Sequence, residues 1–279
     1  MIPNLSIIFM GVTAAVSIGL PVFMFIFWRK KYILKIIPLL VGMSVFVVFA
    51  MFLQQFVHTA VLQPDENGVF ALLEESPRLF VIYAIFAAGF FEETGRFVAF
   101  KMLKRNHNNI GTGLAYGIGH GGIEAFLLVG LTMISNITVC LMINSGNFTA
   151  AGEEIDVAAL IGVLQETPSS MFLISGYERV VAMAAHISFS IIVLCSVVKK
   201  GMLWLYPVAI VLHASVNLAP AMLQAGFFDS IWIVEGLILI PTALSVFVAI
   251  KACSVLTYEN TTLDDTQTAK EEIPAGPTL

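Results

Sequence analysis

Long apolar runs separated by short polar stretches dominate this chain. The runs at about 5–27, 36–62, 77–100, 110–143, 173–198, 202–224 and 231–250 each match the roughly 20 residues that cross a bilayer core of about 30 Å. The strict alternation of a membrane barrel is absent, so the runs predict helices. The expected fold is an all-α, polytopic membrane protein of about seven spans. The fourth run is longer than one crossing needs, which predicts a tilt, a protrusion or a break near Asn136. Residues 156–167, "DVAALIGVLQET", are too short to cross and end at Pro168, which predicts a re-entrant or interfacial helix and an eighth element. From Tyr258 the chain turns polar and acidic. The expected organisation is then a two-span segment at 1–76, a four-span core at 77–224, a final span at 225–257 and a disordered tail at 258–279. No internal repeat suggests an inverted-repeat transporter.

Charge orients these spans. Arg29, Lys30, Lys31 and Lys35 fall between spans one and two, and Lys101, Lys104 and Arg105 between three and four. Lys199 and Lys200 fall between five and six, and Lys251 after seven. All lie on one side, which the positive-inside rule makes cytoplasmic. The other loops carry Asp65, Glu66, Glu74, Glu75, Glu153, Glu154 and Asp156. The N-terminus is then outside and the C-terminus cytoplasmic, as expected of a multi-pass protein of the cell membrane. The basic "WRKK" at 28–31 follows the first apolar run, where a signal peptide would carry it in front, so 5–27 reads as a retained span.

Composition agrees, at 58% hydrophobic and 12% charged residues. Cys140, Cys195 and Cys253 are far apart and read as small apolar fillers, not a disulfide framework. A net charge of −5 does not favour nucleic acid.

Against this background the polar residues inside the spans stand out. Glu92 lies nine residues before Lys101, and His120 eleven after Asn109. His186 lies thirteen before Lys199, and His213 thirteen after Lys200. At 1.5 Å per residue these offsets are roughly 14–20 Å from the basic boundary, one layer shared by four successive helices. Glu92 and Arg96, His120 and Glu124, and His213 and Asn217 are i,i+4 neighbours, each pair on one helix face. Glycines surround His120 and allow close approach of a backbone or substrate. Ionisable groups at such depth point to function.

The chemistry these residues suit is water activation. A Glu beside an imidazole can take a proton from water and return it to a leaving amine. A second His with an Asn amide can donate to the oxyanion of a tetrahedral intermediate. Alternatively His120, His186 and His213 are three ligands of a zinc ion with an open position for water.

These residues resemble the motifs of the YhfC family of intramembrane proteases. That family is grouped with the CAAX prenyl endopeptidase and bacteriocin-processing enzymes, the PrsW proteases and the APH subunit of gamma-secretase. "EETGR" is similar to the double-Glu motif at Glu92, Glu93 and Arg96. "YGIGHGGIE" offers His120 and Glu124 for the second motif, with Tyr116 standing where the family has Phe, and "HASVN" fits the last at His213 and Asn217. His186 fits a His found in some branches. The resemblance implies that Glu92 and His120 activate the water and that His213 and Asn217 stabilise the oxyanion. It leaves open whether a metal takes part and whether His120 or Glu124 acts directly. A membrane-embedded or lipid-modified peptide is the expected substrate, and the depth of the cluster below the basic boundary, with the glycine-rich fourth span, places cleavage at mid-membrane or in the cytoplasmic half.

Blander readings stand beside these. The cluster could be a satisfied polar network in a non-catalytic scaffold or receptor, or the carboxylates of a proton-coupled transporter. Glu93 could point away from Glu92 and pair with another span. Glu178 and Arg179 read as the outer end of span five, Glu235 as a snorkelling or capping residue, and His58 and His107 as boundary residues.

Overall fold

The computed structural model describes residues 1–65, 68–146 and 157–271, with side chains placed in all of these except 157–158 and 255–271. Of the acidic loop residues read above, Glu66, Glu153, Glu154 and Asp156 lie outside the described residues, as does 272–279 of the tail. The described residues are helical throughout, and an isolated bridge between Pro64 and Phe70 is their nearest approach to a strand.

In chain order the helices are α1 (Asn4–Tyr32), α2 (Ile36–Leu62), α3 (Ala71–Glu75), α4 (Pro77–Leu103) and α5 (Ile110–Asn144). They continue with α6 (Val157–Glu166), α7 (Ser169–Val198), α8 (Leu205–Gln224) and α9 (Ile231–Glu271). Six are long and apolar enough to cross a membrane: α1, α2, α5, α7, α8 and the Ile231–Ser254 part of α9. The seventh expected span corresponds to α4, a 27-residue helix that also carries Glu92, Glu93, Arg96 and Lys101.

Two elements differ from expectation. The irregularity in α5 falls at Ala125–Gly130, a π-helical stretch, whereas Asn136 sits in regular helix. A π turn changes which face the following residues present, which suits a helix whose first half lines a polar site and whose second half packs on α1. α9 also continues helically to Glu271, past residue 258 where the sequence suggested disorder. No glycine or proline occurs between Pro241 and Pro274, so the chain carries no stop signal there.

The helices alternate in direction. At one end Gly111, starting α5, lies against the Tyr32 carbonyl that ends α1. At the other, the Ile2 amide donates to Asn144 Oδ1 at 2.7 Å and the Ser6 and Ser169 hydroxyls meet at 2.8 Å, joining the start of α1 to the end of α5 and the start of α7. The ten-residue α6 caps this second end, with Leu164 buried among Ile2, Met10, Cys140 and Phe172.

α7 is the central post. In its most apolar stretch 78% of residues are buried, against 17–39% in the other five candidate spans. Two serines in its buried stretch keep their hydroxyls bonded within the helix, Ser190 to the His186 carbonyl and Ser188 to the Ala184 carbonyl, both at 2.7 Å. α5 is held between α2 and α7 by backbone approach, because apolar burial gives little drive to associate inside lipid. A Cβ at Gly119 would overlap the Leu39 carbonyl of α2, and one at Gly117 would lie 2.6 Å from Ile187 Cα of α7. His120, between those contacts, is fully buried.

Candidate functional site

α4, α5, α7 and α8 bring Glu92, Glu93, Arg96, His120, Glu124, His186 and His213 into one buried cluster. Arg96 is its hub. Its guanidinium donates to Glu93 Oε1, gives a second donor to His186 Nδ1 at 2.6 Å, and lies 3.6 Å from Glu92 Oε2. An accepting Nδ1 leaves the ring proton of His186 on Nε2, which faces Glu124 Oε2 at 2.5 Å. Arg179 donates to the other Glu124 oxygen at 2.9 Å. His120 Nε2 donates to Glu92 Oε2 at 2.9 Å, and His213 Nδ1 donates to Glu93 Oε1 at 2.7 Å.

The i,i+4 pairs seen in the sequence share a face, but Glu92, His120, Glu124 and His213 take their hydrogen bonds from other helices. His120 pairs with Glu92 and not with Glu124. Glu93 both belongs to the cluster and pairs with α8, through His213. Charged pairs of this kind are strong only where both partners are held and desolvated. Phe46 sets its edge to the His120 ring at 5.3 Å, and Phe189 stacks on His213 at 4.8 Å.

A cavity of about 270 Å³ adjoins the cluster. Glu92, Glu124, His186, His213 and Asn217 line it, and it extends along Arg179, Glu178 and Pro220, away from the basic residues at the other helix ends. Pro220 has no N–H, so the Val216 carbonyl on the same wall lacks its usual helical donor. Asn217 thus takes part as a wall residue.

Sequence reading gave too little weight to Arg179 and Glu178. α7 begins at Ser169, which puts both in its third turn and not at its end. The available signal was spacing: Arg179 lies seven residues, two turns, before His186 on the same face. Tyr116 is another, its hydroxyl buried without a hydrogen-bond partner beside His120. By contrast His58 is engaged elsewhere, with Tyr83 at 2.8 Å and Gln54 at 2.9 Å.

The donor set fits a metal ion. Glu92, His120, Glu124 and His186 each offer a ligand atom within 4.8 Å of all the others, His186 by releasing the Nε2 proton that it shares with Glu124. With its proton on Nε2, His120 also has a buried lone pair at Nδ1 that no donor satisfies. Two imidazoles and two carboxylates are the ligand types of zinc and neighbouring divalent ions. Of the three histidines first considered, His120 and His186 are in this set and His213 is outside it, turned to Glu93.

The pattern of the family described as YhfC intramembrane metalloprotease matches residues 16–238. The uncharacterized membrane protein YhfC of Bacillus subtilis (strain 168) is 34% identical over 256 residues, covering 90% of this chain and 98% of that protein. No solved structure gives a significant match. With the family pattern spanning most of the chain and the relative aligned over nearly its whole length, this chain belongs to the YhfC intramembrane metalloprotease family.

Proposed function

We propose that the protein is an intramembrane endopeptidase of the cell membrane that hydrolyses a peptide bond in a membrane-associated substrate. The observation that carries this reading is the Glu92–His120–Glu124–His186 group, three of whose members, Glu92, Glu124 and His186, line a cavity while His120 is buried behind Glu92. A network serving only as helix glue needs no such opening, so hydrolysis is favoured over a scaffold. In this reading α4 is a seventh crossing, the basic ends are cytoplasmic, the N-terminus is outside, and the site lies at mid-bilayer. Under that orientation the cavity faces the outer half, so a membrane-embedded or lipid-modified peptide enters from there.

Glu92, His120, Glu124 and His186 would hold the metal, with zinc the ion we favour. When bound, such an ion lowers the pKa of water and polarises a carbonyl. The remaining work belongs to the chain itself. Glu93 fixes the His213 tautomer by accepting from Nδ1, leaving Nε2 to face Glu92 Oε1 across 3.9 Å. We place the attacking water at this gap. Its oxygen bonds to the carbonyl carbon while His213 Nε2 takes its proton and returns it to the amine nitrogen as the C–N bond breaks. The Asn217 amide, on the same wall, donates to the developing oxyanion.

The test is metal content of the protein purified in detergent without chelator, beside folded His120→Ala and His186→Ala. About one ion per chain, lost in both variants, supports the reading. No ion in the wild type, with no cleavage of membrane peptides that depends on Glu92, removes it.

A further inference from the structure

Glu235 is outside the cluster described above, and its surroundings are unusual. It is 6% exposed, and no N–H or hydroxyl donor reaches either carboxylate oxygen. It was expected to snorkel or cap; instead it is enclosed beside the apolar seam of Val181, Ala219, Val234 and Ile238. A buried carboxyl without such a donor is costly and calls for an explanation.

Its polar neighbour is the Glu178 carboxyl of α7, close enough for the two to share a hydrogen bond. α7 and α9 run parallel and in step: Cys195 Sγ meets the Ala252 carbonyl across the same sequence offset that separates Glu178 from Glu235. The two carboxyls are therefore level along the two helices. Glu178 belongs to the wall of the catalytic cavity, and Glu235 opens on a second cavity of about 420 Å³ that Tyr177 and Trp232 also line. Ile238, one turn from Glu235 on the same face of α9, reaches the catalytic cavity. The carboxyl pair thus stands at the partition between the two spaces.

We propose that Glu178 and Glu235 bind the ammonium or guanidinium head of a basic side chain carried by the substrate peptide. Two adjacent carboxyls with no ion pair to a described Lys or Arg supply the charge, and the aromatic residues Tyr177 and Trp232 in the cavity lining suit an incoming cation. The outer cavity lies within the roughly 300–1,000 Å³ range of ligand sites. The site selects a Lys or Arg at a fixed distance from the bond placed over the cluster. Rejecting the uncharged analogue follows, because that analogue brings no cation to the carboxyl pair and leaves Glu235 buried without one. The proposal rests on the endopeptidase reading for the identity of the molecule that brings the cation.

The test uses full-length protein in detergent and two probes, N-octanoyl-lysinamide and N-octanoyl-norleucinamide, which differ in the ammonium group. Binding is read from Trp232 fluorescence, with Trp232→Phe as the control for the signal. The lysine probe should bind at least tenfold more tightly, and Glu235→Gln and Glu178→Gln should each reduce that preference to under threefold. Equal binding of the two probes to the wild type, which needs no variant, overturns the proposal. So does an unchanged preference in both Gln variants. The same assay on Glu92→Gln separates the two readings. Retained lysine preference with no hydrolysis by the wild type removes the peptidase and keeps the cation site, whereas hydrolysis without the preference does the reverse.

Discussion

Arg96→Met probes the cluster at its hub. The guanidinium is fully buried and serves Glu93, His186 and, at 3.6 Å, Glu92. Removing it leaves Glu93, itself fully buried, with His213 as its remaining partner, and takes the donor from His186 Nδ1. Breaking a buried pair on one side costs about 3–5 kcal/mol, because the other charge stays behind. At about 2–4 °C per kcal/mol, melting should fall by roughly 6–20 °C. Adding Glu93→Gln removes the stranded charge, so the double variant should regain about 2 kcal/mol or more of that loss. Cys140 is a buried cysteine outside any disulfide, so a thiol-reactive fluorophore reports its exposure on unfolding in detergent. The reasoning is refuted if Arg96→Met melts within about 3 °C of the wild type, or if the two substitutions simply add.

Three further outcomes follow from the geometry. Glu92→Gln should keep the fold and lower hydrolysis of membrane peptides by about 10²-fold or more, read from product peptides by mass spectrometry. Arg179→Gln takes a charged donor from Glu124 and should weaken metal binding by about 10–100-fold in a competition titration against a chromophoric chelator. Gly117→Ala puts a methyl 2.6 Å from Ile187 Cα and 3.2 Å from the His186 carbonyl, forcing α5 from α7; it should cost about 1–3 kcal/mol in the same melt and weaken metal binding.

Much of the site could be read from the sequence because depth and helix face are local properties. Counting residues from the basic ends put Glu92, His120, His186 and His213 in one layer, and spacing put Arg96, Glu124 and Asn217 on the same faces. Which partner each side chain chooses is set by how neighbouring helices are rotated and how closely they approach. That is why His120 meets Glu92 and not Glu124, and why Glu93 reaches His213. Arg179 was missed because the start of α7 was placed four residues late, and the burial of Glu235 depends on a seam with α7 and α8 that no local pattern displays. The π stretches gave no signal either, since "AFLLVG" reads as ordinary apolar helix.

The wide turn at Ala125–Gly130 acts as a splice between two lengths of α5. A π turn accommodates one residue more than an α turn, and one residue corresponds to about 100° of rotation. Losing a residue inside 125–130 would let the stretch tighten to α-helix while His120 and Glu124 on one side, and Met133 and Cys140 on the other, kept their present bearings. The same loss at 111–119 would swing the following residues about 100° out of line. Tolerance to a change of length should therefore be confined to the splice, and the half of α5 that carries the histidine should admit none.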